Sequence, residues 1–248
     1  MDTTHGAITT PQSPASAANH LGAGLAVLYV IVAGLGLGVL AIAAHTTPYF
    51  NVGLLIARAV QSIQALWFDL LMRGVSWPGY PPQLYVGLVF IFLILFFYVS
   101  RWAAVAHLFA TVGIGAVGLV IKMLVDRPRP SASLIHVLNP NLDGGRYSFA
   151  AGHVETFVAI LGFLWFLAYC SQNRSLWRTL ALIVFGVMIA LIGLARIYSG
   201  EHWFSDVAGG YLLGSIWLVL TIRFYDWGRS RFFVKAGMEP SHESNRAR

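Results

Sequence analysis

The sequence predicts an all-α membrane protein, a bundle of six transmembrane helices with one amphipathic helix on the outer side. Three observations carry that prediction. Only 10% of the 248 residues are charged, against 57% hydrophobic, whereas a soluble domain carries about a quarter charged residues. So few charges cannot cover a water-facing surface, and lipid must be part of the solvent. Apolar runs recur along the chain near the length of about 20 residues that crosses about 30 Å of hydrocarbon. One stretch between them shows amphipathic helical periodicity instead. No long polar linker divides the hydrophobic blocks, so one domain is expected over 21–225. It is flanked by a flexible N-terminal tail at 1–20 and a basic cytoplasmic tail at 226–248.

Residues 1–20 are rich in Thr, Ser, Pro and Ala and hold no Lys or Arg. That opening lacks the basic start of a secretory signal peptide, so the first apolar run is expected to be retained. The expected spans are Leu21 to Ala44, Leu84 to Val99, Ala103 to Val125, Val154 to Tyr169, Leu176 to Leu194 and Val207 to Tyr225, the second and fourth being short. Gly34, Gly36 and Gly38 in the first are expected to permit close helix packing. From Asn51 to Arg73, Ile56, Val60, Ile63, Trp67 and Leu70 recur at three- and four-residue steps opposite Arg58, Gln61, Gln64 and Asp69. That pattern predicts one amphipathic helix lying along the membrane or capping the bundle. Ser76, Pro78, Gly79, Pro81 and Pro82 break it before the next span. His107 falls inside the third span, where an interhelical hydrogen bond is its expected role. Cys170 is the single cysteine, which excludes an intrachain disulfide and a thiolate metal site.

Six spans put both termini on one side. That side collects Arg101, Arg174, Arg178, Arg223, Arg229, Arg231, Lys235, Arg246 and Arg248, which marks it as cytoplasmic by the positive-inside rule. Arg58, Arg73, Arg127, Arg129, Arg146 and Arg196 then lie outside, with Lys122 near the outer end of the third span. The net charge of +6 forms no basic stripe with interleaved aromatics, which argues against nucleic acid as partner. The outer cations gather instead in three short segments.

The first segment places Arg129-Pro130 seven positions after Lys122. Prolines on both sides of Arg129 end the helix and restrict the backbone. Fixed cations there suit a phosphate, Arg as a planar fork and Lys as a point charge; headgroup anchoring and snorkelling are the bland alternative. The second runs from Ser148 through Ala151, Gly152 and His153 into the fourth span. A helix N-terminus offers unpaired N–H groups to an anion, Gly152 allows close approach, and His153 is a candidate proton donor. An interfacial histidine at a helix start is the alternative. The third carries Arg196, His202 and Asp206. If its turn is helical, Asp206 shares a face with His202, and a carboxylate on one imidazole nitrogen leaves the other as a nucleophile. A capped helix start with interfacial Trp203 explains His202 and Asp206 singly, but not their recurrence with the other two segments. Glu155 is expected to favour the dipole of its helix start. Glu201 either tunes His202 or faces water. His136, Asp143 and Arg146 are read as loop residues in water, with a headgroup contact as the alternative.

These segments resemble the type 2 phosphatidic acid phosphatase family, which shares a superfamily with the vanadium haloperoxidases and carries K-x6-RP, then PSGH, then SR-x5-H-x3-D. Lys122, Arg129 and Pro130 match the first element, Gly152 and His153 the second, and Arg196, His202 and Asp206 the third. The resemblance implies that His202 is a nucleophile forming a phosphohistidine, polarised by Asp206, with His153 protonating the leaving oxygen and later activating water. Lys122, Arg129, Arg196 and the Gly152 N–H would hold the phosphate oxygens, with Ala151 at the position of a phosphate-contacting serine. No metal or other cofactor is implied. The Pro and Ser of PSGH are Ala150 and Ala151 here, and the Ser of the third element is Ala195. Loss of one oxyanion donor lowers turnover by about 10²–10³ in a well-studied enzyme.

The expected function is therefore removal of phosphate from a phosphorylated lipid at the outer face of the cell membrane. Phosphatidate, phosphatidylglycerophosphate and polyprenyl diphosphate are the substrate classes. A phosphate-lipid binding protein of the same fold, without turnover, is the rival that Ala151 motivates. A transporter would spread its charges through the spans rather than collect them at one face.

Overall fold

The computed structural model describes residues 14–138 and 147–232. Every regular element there is helical. Helix α1 runs Pro14–Thr46, α2 Asn51–Gln61, α3 Leu66–Ser76, α4 Gln83–Ile94, α5 Arg101–Val125, α6 Gly152–Cys170, α7 Leu176–Tyr198 and α8 Phe204–Phe232. Five of them (α1, α5, α6, α7 and α8) are long and apolar enough to cross a bilayer, and α4 with the π-helical turn Leu95–Val99 adds a shorter apolar helix. At 1.5 Å per residue that sixth helix is about 25 Å long. Helix α1 starts inside the stretch expected to be a tail, and α8 continues beyond Tyr225. Lys235, Arg246, Arg248, Asp143 and Arg146 lie outside the described residues.

Local sequence sets the helix ends. Ser100 closes the π turn through its N–H to the Leu95 carbonyl at 2.8 Å. Its hydroxyl then caps α5, accepting from the N–H groups of Trp102 at 3.1 Å and Ala103 at 3.3 Å, as Ser at an N-cap does. Asp126 ends α5 in the left-handed region, φ 46°, which Asp tolerates better than most residues. Ser175 caps α7 by accepting from the Arg178 N–H at 3.3 Å.

Helix α6 is packed among α5, α7 and α8, and α1 lies along α8. The glycines that permit close approach are not those expected in α1. Gly34 and Gly38 have open space where a side chain would stand, and Gly36 meets only Leu212 at 3.7 Å. The tight crossing is α6 on α8. A Cβ on Gly210 would lie 2.9 Å from the Ala151 carbonyl oxygen, and one on Gly214 2.8 Å from that of Glu155. Facing outward, Leu35, Val39, Ile42, Val86, Phe90, Val112 and Val184 are exposed. A girdle of that kind is stable only against hydrocarbon. His107 of α5 bonds the Leu88 carbonyl of α4 at 3.2 Å, the interhelical bond expected of it.

The amphipathic stretch is two helices, not one. Helices α2 and α3 meet at 119° across Ser62–Ala65. Ser62 turns its hydroxyl back to the Ala59 carbonyl at 2.8 Å, a local bond that competes with helix continuation. Gln61 meanwhile donates to the carbonyls of His136 at 2.7 Å and Tyr198 at 3.0 Å. The packed face also differs from expectation. Gly53, Ala57, Phe68, Met72 and Val75 are buried, while Trp67 and Leu70 point outward.

Both helices lie at the end of the bundle where α5 stops and α6 and α8 begin, since Arg58 donates to the Leu134 carbonyl at 3.3 Å. The start of α1 meets the later part of α8 at the opposite end through Arg223 and the Gly22 carbonyl.

Candidate active site

Two main-chain links and one tight turn assemble the site. Beyond the left-handed turn at Asp126, Arg127 and Pro128 run alongside Tyr147 and Ser148, with the Ser148 N–H on the Arg127 carbonyl at 2.8 Å. The Ala151 N–H then donates to the Asp206 carbonyl at 3.0 Å. Between α7 and α8 the chain turns through Gly200 at φ 71°, where a Cβ would collide with the His136 carbonyl oxygen. Only glycine meets both conditions. That turn delivers Glu201 and His202 to the ends of α5 and α6.

His202 and Asp206 are both buried. The expectation that they hydrogen-bond directly is not met, because α8 begins at Phe204 and leaves His202 outside the helix. The imidazole Nδ1 stands 3.9 Å from Asp206 Oδ2, beyond hydrogen-bond length. Ser148 bridges the gap, its hydroxyl 3.4 Å from Nδ1 and donating to Asp206 Oδ2. Asp206 also accepts from the Trp203 N–H at 2.9 Å, the reach of an N3 carboxylate back to its N-cap. Buried Arg127 completes its shell with Nη1 on Oδ1 at 2.5 Å, and further donates to Ser205 at 2.7 Å and the Pro48 carbonyl at 3.1 Å.

Burial holds the His202 imidazole well below its ordinary pKa. The positive charges of Arg129, Arg196 and Lys122 and the nearby His153 act in the same direction. The ring is therefore neutral at neutral pH. Lys122 reaches Glu155 Oε1 at 3.1 Å. A Cβ on Gly152 would stand 3.4 Å from the Lys122 ammonium, so that cation lies against the start of α6. Helix α6 opens at Gly152 without a side-chain cap, and its first-turn N–H groups are donors for an anion. Ala151, the N-cap residue, is fully buried. Buried Arg196 pairs with Glu201 and donates to the Tyr80 hydroxyl at 2.8 Å. Arg129 Nη1 lies 3.9 Å from the same Glu201 carboxylate. His153 packs edge-on against the Tyr80 ring at 4.8 Å, and a side chain on Gly79 would collide with it.

Sequence reasoning missed several participants. Arg127 was grouped with the other outer cations, although its place between Asp126 and Pro128 makes it as fixed as Arg129. Ser148 stood in the second segment without a role. Tyr80 sat in a stretch read only as a helix breaker. Glu201 is buried rather than facing water. His136 is exposed, and its backbone N–H and carbonyl are both held by Gln61.

The low His202 pKa sets a pH dependence. A depressed histidine pKa lets the unfolded chain take the proton first. This group therefore withdraws stability as pH falls from about 6.5 toward the folded value. If His202 must be neutral to act, the acid limb of kcat/KM belonging to it lies below about pH 6.5. Arg129→Gln removes one of the cations that lower the pKa, so the limb is expected to move to higher pH. A limb unmoved in pH–rate profiles of that variant assigns it to another group.

The sequence profile of the PAP2 superfamily matches residues 103–230. Phosphatidylglycerophosphatase B of Bacillus subtilis is 28% identical over 199 residues, 79% of this chain and 94% of that protein. The lipid A 4'-phosphatase of Porphyromonas gingivalis is 26% identical over 105 residues, 41% of this chain and 39% of that protein. Among solved structures, a transmembrane PAP2-type phosphatidylglycerolphosphate phosphatase from Bacillus subtilis superposes with a TM-score of 0.68 at 26% identity, covering 82% of this chain and 98% of that one. By their names, all three act on lipids as phosphatases. The profile match spans more than half of the sequence and takes in every segment from Lys122 to Asp206, so the chain belongs to the PAP2 superfamily.

Proposed function

We propose that the protein dephosphorylates a membrane lipid phosphate or diphosphate, of the phosphatidate, phosphatidylglycerophosphate or polyprenyl diphosphate class, through a phosphohistidine on His202. The observation that carries this reading is a buried, neutral imidazole within electrostatic reach of Lys122, Arg129, Arg196 and His153. Ser148, itself held by Asp206, engages Nδ1, which leaves Nε2 as the attacking atom. Nε2 bonds to phosphorus as the bond to the leaving oxygen breaks, and protonated His153 gives that oxygen its proton. His153, now neutral, then takes a proton from water, and the resulting hydroxide displaces inorganic phosphate from His202. Lys122, Arg129, Arg196 and the Gly152 N–H neutralise the non-bridging oxygens while charge shifts among them.

An apolar cleft of about 260 Å³ favours a lipid substrate. Pro78, Leu88, Phe157, Ile160, Phe185 and Met188 line it, and its α6 wall begins at Thr156, three residues after His153. A headgroup in the site leaves its tail in that cleft among α4, α6 and α7. The arginine bias of the opposite end supports an extracytoplasmic site.

Purified protein in detergent, given one lipid of each class, is expected to release phosphate from at least one. Release from none, with lipid binding kept, turns the reading to the binding protein without turnover. Each nearby carboxylate faces a cation: Asp206 faces Arg127, Glu155 Lys122 and Glu201 Arg196. That donor set does not suit a hard metal ion, so activity is expected to persist in excess chelator. Loss with chelator and recovery with a divalent cation would contradict the metal-free mechanism.

A further inference from the structure

We infer that Tyr80, Arg196 and Arg129 form one cradle for phosphate oxygens, and that the Glu201 carboxylate competes with substrate for it. This inference rests on the proposed function and names two residues which that function leaves without a role. Glu201 is buried, and its carboxylate faces a hydroxyl and two guanidinium groups from three separate parts of the chain. The Tyr80 hydroxyl, from the turn before α4, donates to Oε1 at 2.6 Å. Arg196, from the last turn of α7, pairs with Oε2. Arg129, beyond α5, places Nη1 3.9 Å from that same oxygen. Guanidinium forks match the oxygen spacing of carboxylate and phosphate alike. A carboxylate held this way marks where a phosphate edge fits.

Tyr80 is placed for more than holding Glu201. It accepts from Arg196 Nη1 at 2.8 Å, and its ring packs edge-on against His153 at 4.8 Å. Its phenol therefore stands between a phosphate-binding arginine and the proposed proton donor. Position 151 carries a methyl group here, and the Tyr80 O–H supplies a neutral donor that Ala151 lacks. Glu201 sits on the turn between α7 and α8 rather than inside a helix, so its side chain leaves the cradle without moving either one. A mainly apolar cavity of about 190 Å³ lies beside Tyr80, with Arg73, Ser76 and Ser199 among its lining residues. A phosphate dianion carries more charge than the carboxylate and takes both arginines from it.

The test is calorimetric titration of inorganic phosphate into full-length protein in detergent, for the unmodified chain, Glu201→Gln and Tyr80→Phe. With the internal anion neutralised, Glu201→Gln is expected to bind phosphate about tenfold tighter. Loss of a donor to a charged group makes Tyr80→Phe about tenfold weaker. Glu201→Ala replaces Glu201→Gln should the latter not fold, with the same expectation. Shifts in these opposite directions support the cradle. If Glu201 only braces the arginines, its removal weakens binding, and that result overturns the inference, as does a Tyr80→Phe affinity equal to that of the unmodified chain. If neither the unmodified chain nor Glu201→Gln binds phosphate, the proposed function itself fails and the cradle falls with it.

Discussion

Replacement of His202 by alanine is expected to lower kcat for phosphate release by at least about 10⁴-fold, the scale on which enzymes lose a covalent nucleophile. Acid-labile phosphoprotein should disappear with it. Surrounding groups cannot substitute. Asp206 is committed to Arg127, Ser148 and the Trp203 N–H, and His153 lies against Tyr80. Rapid quenching with a radiolabelled lipid phosphate measures both quantities. Turnover retained within tenfold, or label still bound to the His202→Ala protein, would move the covalent step to another residue. Because the imidazole is small and its Nδ1 contact to Ser148 is long, at 3.4 Å, the variant is expected to fold.

Arg127→Ala is expected to act in the opposite manner, on the fold before the chemistry. Arg127 and Asp206 have side chains without solvent exposure. Removing one member of such a pair leaves a buried charge without compensation, which costs about 3–5 kcal/mol. The same variant frees Ser205 and the Pro48 carbonyl, so the end of α1 loses its tie to α8. Unfolding of the purified variant, followed by heat or denaturant in one detergent, measures the loss. A change under about 1 kcal/mol would mean that water reaches Asp206 and that the pair is not structural. Combining Arg127→Met with Asp206→Leu should restore part of the stability but no activity, because an apolar pair removes the stranded charge without orienting Ser148.

Much of this architecture is legible in the sequence. Run length and charge sparsity give the membrane helices, since hydrocarbon admits few alternatives. Motif spacing picks out Lys122, Arg129, Gly152, His153, Arg196, His202 and Asp206, all of which come together. Periodicity is blind to the break between α2 and α3. Buried Ala57 and Phe68 are eleven residues apart, close to three helical turns, so the apolar phase passes through the bend unchanged. The His202–Asp206 spacing of four suggests one helical face, but the helix starts two residues after the histidine and a serine from another segment fills the gap. Glu201 and Tyr80 carry no local signal for their roles. The burial of Glu201 and the pairing of both arise from chain distant in sequence, Tyr80 lying 121 positions from its carboxylate partner.

The links that fasten the second segment have a consequence for its history. Ser148 and Ala151 are anchored through their amide hydrogens, to the carbonyls of Arg127 and Asp206. Every residue except proline brings that hydrogen, so these two links do not themselves depend on the side chains at 148 and 151. Ala150 and Ala151 are fully buried, so a small residue at either keeps those links intact, and an exchange of alanine for serine there is expected to register in reaction rate before it registers in shape.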